Sequence, residues 1–173
     1  MGNISTADEN RIATQFRRAL RGVASTVTII TANDRHRHHG MTATAVMPVS
    51  MAPPALVICI HRERLLHDIL ISAHRFCVNV LDEAQHRVSD AFSGGEASED
   101  RFAIGTWSYD ADGLGCLADA QANIFCTKAA AVPFGTHTLF VGEVTAVRSA
   151  ERQAPLVYFN AAYCNSPLTP LSA

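Results

Sequence analysis

His39-Gly40-Met41-Thr42-Ala43-Thr44-Ala45, running on to Val49-Ser50-Met51-Ala52-Pro53-Pro54, reads as a strand of small and hydroxyl side chains that enters a loop with a Pro-Pro stop. Small side chains let a flat ligand lie against the backbone. The hydroxyls of Thr42, Thr44 and Ser50, with nearby amide N–H groups, can hydrogen-bond a polar ring edge or a phosphate. The stretch is a candidate ligand cradle, and its surroundings decide what sheet it belongs to.

Upstream, Thr26 to Ala32 (TVTIITA) is β-branched and apolar, which predicts a strand. Asn33 to His39 is a polar turn. Thr42 to Met47 is then a second strand, paired with the first as a hairpin. Downstream, Ala55 to Ile60 (ALVICI) predicts a buried strand, and Arg75 to Leu81 another. Gln121 to Ala131, His137 to Arg148 and Leu156 to Asn160 add three more. Thr6 and Glu9 read as a capping box for a first helix over about residues 7–21. Ile12, Phe16, Ala19, Leu20 and Val23 follow at helical spacing, and Gly22 is placed to end it. Leu65 to Ala73 and Glu83 to Phe92 predict short helices. Ser93 to Asp100 is an acidic loop, and Ser166 to Ala173 an extended tail. Six or seven strands, hairpin signals and two or three helices predict a mainly antiparallel sheet. Closing or packing it on itself gives a small β-barrel with helices at its ends.

The chain has 173 residues, enough for one domain with a real core. We expect a single domain over 1–173, with terminal extensions at about 1–10 and 166–173. Hydrophobic residues make up 48% and charged ones 17%, which excludes a disordered chain. No apolar run is long enough to span a bilayer, and the polar start, Met1 to Asn10, predicts no secretory signal. The expected location is cytoplasmic. A net charge of −2 gives no electrostatic case for nucleic acid or an anionic membrane. Cys59, Cys77, Cys116, Cys126 and Cys164 are odd in number and lack CxxC spacing, so reduced, mostly buried thiols are expected.

No GxGxxG, GxxxxGK[ST] or GxSxG motif occurs. His36, His38 and His39 interleave with Arg35 and Arg37. In a hairpin turn they splay outward, so they read as a solvated loop and no metal site is expected. His137 opens a strand. It is either a satisfied edge histidine or a hydrogen-bond donor at the mouth of a cleft. Tyr158 and Tyr163 are either a core-and-rim pair or a stacking wall for a flat cofactor.

Separated motifs in a fixed order resemble the short-chain flavin reductases. They are Phe16-Arg17 leading to Gly22-Val23-Ala24-Ser25-Thr26-Val27, the Gly40 to Ala45 run with Ser50 and Pro53-Pro54, and Phe76 to Leu81 with Gln85, Ser89 and Phe92-Ser93-Gly94. Arg101-Phe102, Trp107, His137 with Gly142-Glu143-Val144, and Pro155 to Tyr158 complete the set. The resemblance covers about Phe16 to Tyr163. It implies a flavin reductase-like, FMN-binding split β-barrel with short flanking helices, usually a homodimer. The implied activity is hydride transfer from NADH or NADPH to FMN or FAD, supplying reduced flavin to a separate monooxygenase. Thr42, Ala43, Thr44 and Ala45 would line the flavin, Ser50 and Pro54 would shape the loop beside it, and Cys59, Ile60, His61 and Phe92 would lie against it. His137, Tyr158 and Tyr163 match the nicotinamide-binding positions. No side chain is implied as a chemical catalyst; positioning directs the transfer. Where relatives often carry Asn followed by Ser or Thr, this chain has His61-Arg62-Glu63-Arg64, so Arg62 or Arg64 would meet the flavin phosphate. Gly115 stands where relatives often have Pro. Two other readings share the barrel: a non-catalytic flavin- or heme-binding electron-transfer or sensor protein, and a pyridoxamine phosphate oxidase-like enzyme, whose basic phosphate cluster is not evident here.

Overall fold

The structure is a computed structural model describing residues 5–34, 36–95, 100–151 and 154–165. In chain order the elements are α1 (Thr6–Leu20), β1 (Ser25–Thr26), β2 (Thr28–Asn33), β3 (His38–Ala43), β4 (Val46–Met51) and β5 (Pro54–His61). Then come α2 (Leu65–Ser72), β6 (Arg75–Val80), α3 (His86–Asp90), β7 (Trp107–Tyr109) and β8 (Gly115–Leu117). The chain continues through β9 (Ala122–Phe134), β10 (His137–Ser149), β11 (Val157–Phe159) and β12 (Ala162–Cys164).

Seven strands form one sheet in the order β3-β2-β6-β9-β10-β5-β4. Every ladder in it is antiparallel. Its two edges, β3 and β4, are consecutive in the chain and joined only by Thr44 and Ala45. So short a link spans at most about 10 Å. The sheet must therefore curl until its edges nearly meet at that corner. The edges do not pair with each other, so the barrel stays split. The Ala45 carbonyl accepts the Cys59 N–H at 3.1 Å, which pins the corner to β5.

Alternation along β5 sorts its two faces. Leu56, Ile58 and Ile60 point into the interior, where Ile30, Phe76, Val78 and Phe140 join them. Leu66, Ile69 and Leu70 of α2 fill the same interior, all at 0% exposure. A second cluster, including Ile29, Leu81, Phe92 and Leu156, lies on the other side of β2 and β6. β2 is thus buried on both faces, which is why TVTIITA is mostly β-branched and apolar and why its Thr28 and Thr31 hydroxyls donate to the Ala43 and Gly115 carbonyls. Asn79 on β6 sits at 0% exposure within a saturated network. Its amide nitrogen donates to the Ile29 carbonyl (2.9 Å) and the Thr31 hydroxyl (3.3 Å). Its oxygen accepts from the Leu117 N–H and from Asn123, each at 2.9 Å. Gly142 lies at a register shift in β10, where an added Cβ would overlap the Phe76 ring.

Several boundaries differ from the sequence reading. The N-cap of α1 is Ser5, not Thr6: the Ser5 hydroxyl accepts the Asp8 N–H at 3.2 Å and donates to the Asp8 carboxylate at 2.7 Å. The strand expected over 42–47 is two strands that meet at Thr44-Ala45, because the chain turns there from one sheet edge to the other. β7, β8 and β12 went unread; each has three residues, too few for a periodic pattern. The extended tail, 166–173, and positions 96–99 of the acidic loop lie outside the described residues. All five cysteines are free thiols. Burial pushes the Cys126 thiol up to about 12 and Cys77 higher still, so neither supplies a thiolate. Among the described residues, no helix is long and apolar enough to cross a membrane.

Candidate functional site

The split leaves a cleft of about 540 Å³ at the Thr44-Ala45 corner. Its floor is Thr42, Ala43, Thr44 and Ala45, and Cys59, His61 and His137 rise on one side. Phe92, Ser93, Gly94 and Arg101 close the other, with Arg64 and Leu65 where α2 begins. Nine of the residues expected from the sequence therefore meet in one place.

Small side chains keep the floor flat. Gly40, one turn of the pleat below it, is small for the same reason: a Cβ there would come within 2.5 Å of the Phe92 ring and drive it upward. Phe92 itself is fully buried, edge-on to Phe102 at 5.0 Å and beside Trp107 at 5.1 Å. The Thr42 hydroxyl donates to the Ser89 carbonyl at 2.7 Å, tying the floor to α3. It is committed to the wall and its remaining lone pair is all it offers a ligand. The Thr44 side chain is exposed.

His61 and His137 are direct cross-strand partners on β5 and β10. Their rings meet edge to face with centroids 4.9 Å apart. His61 Nδ1 accepts the Glu63 N–H at 3.2 Å, and His137 Nδ1 lies 2.9 Å from the Thr136 hydroxyl. Nε2 of each ring is left for the cleft. The register Cys59, Leu139, Val132 continues the same outer face away from the cleft, followed by Val57, Val141, Ala130.

Other expected residues are elsewhere. Ile60 points into the core at 0% exposure, as alternation demands once Cys59 and His61 face the cleft. Arg62 is exposed, with its N–H bonded to the Thr136 carbonyl at 2.9 Å. Ser50 and Pro54 lie at the far end of β4 and β5, where the Ser50 hydroxyl accepts the Ala52 N–H at 3.1 Å. That is about 23 Å along β5 from His61. Tyr158 and Tyr163 meet edge to face, centroids 5.7 Å apart, on a separate small sheet. Tyr163 donates to the Ser89 hydroxyl at 2.8 Å, one residue behind the cleft wall.

The sequence reading missed His39 and Arg101. His39 is not in a solvated loop; it lies within β3, 6% exposed, and lines the cleft. Burial, then the positive charges of Arg101, His38 and Arg37, lowers its pKa to about 4, so the ring is neutral near neutral pH. His38 instead packs edge-on to Phe102 at 4.9 Å. The apolar company of Gly40 and Met41 was the available signal. Among the described residues, no group of His, Cys, Asp or Glu has the arrangement of a metal site.

The cleft volume suits a drug-sized ligand. A flat floor of small residues, an aromatic side wall and a cationic rim of Arg64 and Arg101 fit a ring system that carries a phosphate ester. Residues 20–167 match the flavin reductase-like domain. The chain is 43% identical to the reductase component of an FADH(2)-dependent resorcinol hydroxylase from Rhizobium sp. strain MTP-10005, covering 94% of this chain and 92% of that one. It is 35% identical to the FMN reductase (NADH) RutF of Pseudomonas syringae pv. syringae, covering 88% and 85%. The flavin reductase of styrene monooxygenase from Pseudomonas putida S12 superposes with a TM-score of 0.80 at 30% identity, covering 91% and 99%. The split sheet, the cleft at its corner and these likenesses agree: the chain belongs to the flavin reductase-like domain family.

Proposed function

We propose that the protein is an NAD(P)H:flavin oxidoreductase, using NADH to reduce FMN or FAD and passing the reduced flavin to a separate monooxygenase. The observation that carries this reading is the cleft itself: a strip of small residues, Thr42 to Ala45, lined also by three imidazoles and one aromatic wall. When bound, the flavin supplies the ring that accepts the hydride. The chain's own residues position and shield. Ala43 and Ala45 present backbone to the ring without side-chain bulk. Phe92 is the lateral wall. His137 orients the nicotinamide nucleotide and need not act as a base, since hydride transfer takes no proton from the donor. Arg64 meets a phosphate. NADH is the donor named for the RutF relatives, and it is the donor we assign.

We further infer a cytoplasmic homodimer in which residues 1–173 act as one functional domain. Met47, Val57, Val141 and Ala130 are direct neighbours across β4, β5, β10 and β9 on the outer face. That face continues through Leu139 and Cys59 to the cleft. Met51 and Phe134 are 79% and 80% exposed near its ends. The helix α1 buries no residue, and its Ile12, Phe16 and Leu20 stripe is open. An apolar face and an apolar stripe of this kind support burial by a second copy, which would also cover the cleft. Oxidation of NADH and NADPH, each with and without FMN, FAD or riboflavin, tests the activity. Flavin-dependent loss of reduced-nicotinamide absorbance is expected, faster with NADH. Flavin binding without turnover on either donor would favour an electron-transfer module instead.

A further inference from the structure

We propose that His67 is a positioning residue for the cleft: its ring ties the first turn of α2 to the start of β10 and so sets the separation of Leu65 and His137. The inference rests on the flavin reductase reading and concerns what holds the wall which that reading gives to the reduced nicotinamide. His67 Nε2 lies 2.9 Å from the Thr138 hydroxyl, and the two residues are 8% and 2% exposed. The His67 ring is edge-on to Phe140, centroids 5.6 Å apart. The bond joins two elements that each carry a cleft residue close by. Thr138 directly follows His137, with its side chain on the opposite, inner face of β10. His67 stands two residues beyond Leu65 in α2. His137 and Leu65 both line the cleft, so the bond lies just behind its wall.

The other ring nitrogen separates this contact from ordinary packing. Among the described residues, His67 Nδ1 is the one buried side-chain nitrogen or oxygen with no hydrogen-bond partner. The Asp68 carboxylate is 3.6 Å from it, too far for a hydrogen bond, and that side chain is 66% exposed. An unmet buried nitrogen costs stability, and an apolar pair at 67 and 138 would fill the space without that cost. The neighbouring residues Leu66, Ile69 and Leu70 of α2 take the apolar solution, all at 0% exposure. A group kept at a cost to stability is expected where function needs it. What His67 adds is direction. Apolar packing lets a helix slide over a strand by fractions of an ångström, whereas a hydrogen bond fixes distance and angle together. Arg64, the N-cap of α2, makes no side-chain bond to the first turn, so capping does not set its position either. Such precision matters where hydride donor and acceptor must meet at about 3–3.5 Å.

Variants of the full chain test the tie. His67→Leu with Thr138→Val replaces the bond by an apolar pair, Thr138→Val alone breaks it with His67 in place, and His67→Gln keeps an amide near the Nε2 position. Melting temperature, kcat and the KM values for NADH and flavin are measured for each. The apolar pair should melt no lower than the wild type, since the unmet nitrogen is gone. Its KM for NADH should rise about fivefold, while kcat and the KM for flavin change less than about twofold. Thr138→Val should show the same rise, and it carries the test if the double variant does not fold. His67→Gln should keep a wild-type KM. An unchanged KM for NADH in both bond-breaking variants makes the contact packing alone and overturns the proposal. So does an equal rise in the KM for flavin, or a His67→Gln no better than the apolar pair. A wild type that oxidises neither NADH nor NADPH with any flavin overturns the reductase reading instead. The tie is then read from a crystal structure of the apolar pair: His137 displaced relative to Leu65 supports it, and His137 in place overturns it.

Discussion

Asn79 and the His61–His137 pair are both polar groups set into the same antiparallel sheet, and they end differently. Asn79 makes five side-chain hydrogen bonds at 0% exposure, one of them accepted from the Cys77 thiol at 3.7 Å, and has no valence left for a ligand. It links β6 to β2, β8 and β9. The imidazoles sit where the sheet splits, spend Nδ1 on local bonds and keep Nε2. Saturation makes a polar group structural; an unspent donor at an opening makes it available for binding. The difference comes from topology. β6 is central in the sheet, while β5 carries its last residue and β10 its first to the corner where β3 and β4 fail to pair.

The largest expected effect breaks the structural side. Asn79→Leu removes all five bonds and leaves the Leu117 N–H and the Asn123 amide short of a partner in the interior. The expected cost is about 2–4 kcal/mol, read as a lower urea midpoint. Folded protein should bind flavin as before. A variant of normal stability with weakened flavin binding would erase the distinction drawn between the two regions.

Next, Gly40→Ala sharpens the boundary between fold and cleft. Its new Cβ meets the Phe92 ring at 2.5 Å and the Thr31 methyl at 3.3 Å, and the ring is the part that can move. Overpacking of this kind costs about 1–3 kcal/mol. We expect a lower melting temperature and weaker flavin binding together, both eased by adding Phe92→Leu. A fall in stability that Phe92→Leu does not ease would place the strain on Thr31 instead.

These contrasts explain how much the sequence disclosed. The floor, Thr42 to Ala45, was legible because small residues in a strand are unusual and their neighbours are strongly patterned. β2, β5 and β6 were legible because each is apolar enough to show its burial. The break of the second strand at Thr44-Ala45 was not, since the reason for it is the pairing of each half with a different, distant strand. Ile60 was placed against the flavin, with Cys59 and His61, by the resemblance alone; the period of two sends its side chain to the core. His39 hid among four other basic residues, and its burial depends on α3 and the turn at 101–103 coming from elsewhere in the chain. Tyr158 and Tyr163 carry no periodic signal that would separate the cleft wall from the layer behind it.

A smaller effect is expected at Thr42. Thr42→Val keeps the shape and removes the bond to the Ser89 carbonyl. The expected loss is about 1 kcal/mol of stability, with flavin affinity changed less than by Gly40→Ala. A large loss of flavin binding at normal stability would make the hydroxyl a ligand contact rather than a tether.

His39 tests the comparison from its middle, because it is buried like Asn79 and lines the cleft like the imidazole pair. Its pKa falls from the ordinary 6.5 to about 4 in the folded chain, through burial first and then the charges of Arg101, His38 and Arg37. Between those values the unfolded chain binds a proton that the folded chain refuses. Acidification through that window therefore favours unfolding. The stability owed to a neutral His39 is fully present above about pH 6.5 and is lost as pH falls towards about 4. His39→Gln cannot take up that proton in either state. Its melting temperature should fall less than the wild type's over the same window, and carboxylates that titrate in both proteins cancel in the difference. Parallel curves would mean that His39 charges without cost in the folded state. It would then be an open, chargeable group of the cleft, not a buried neutral part of its wall.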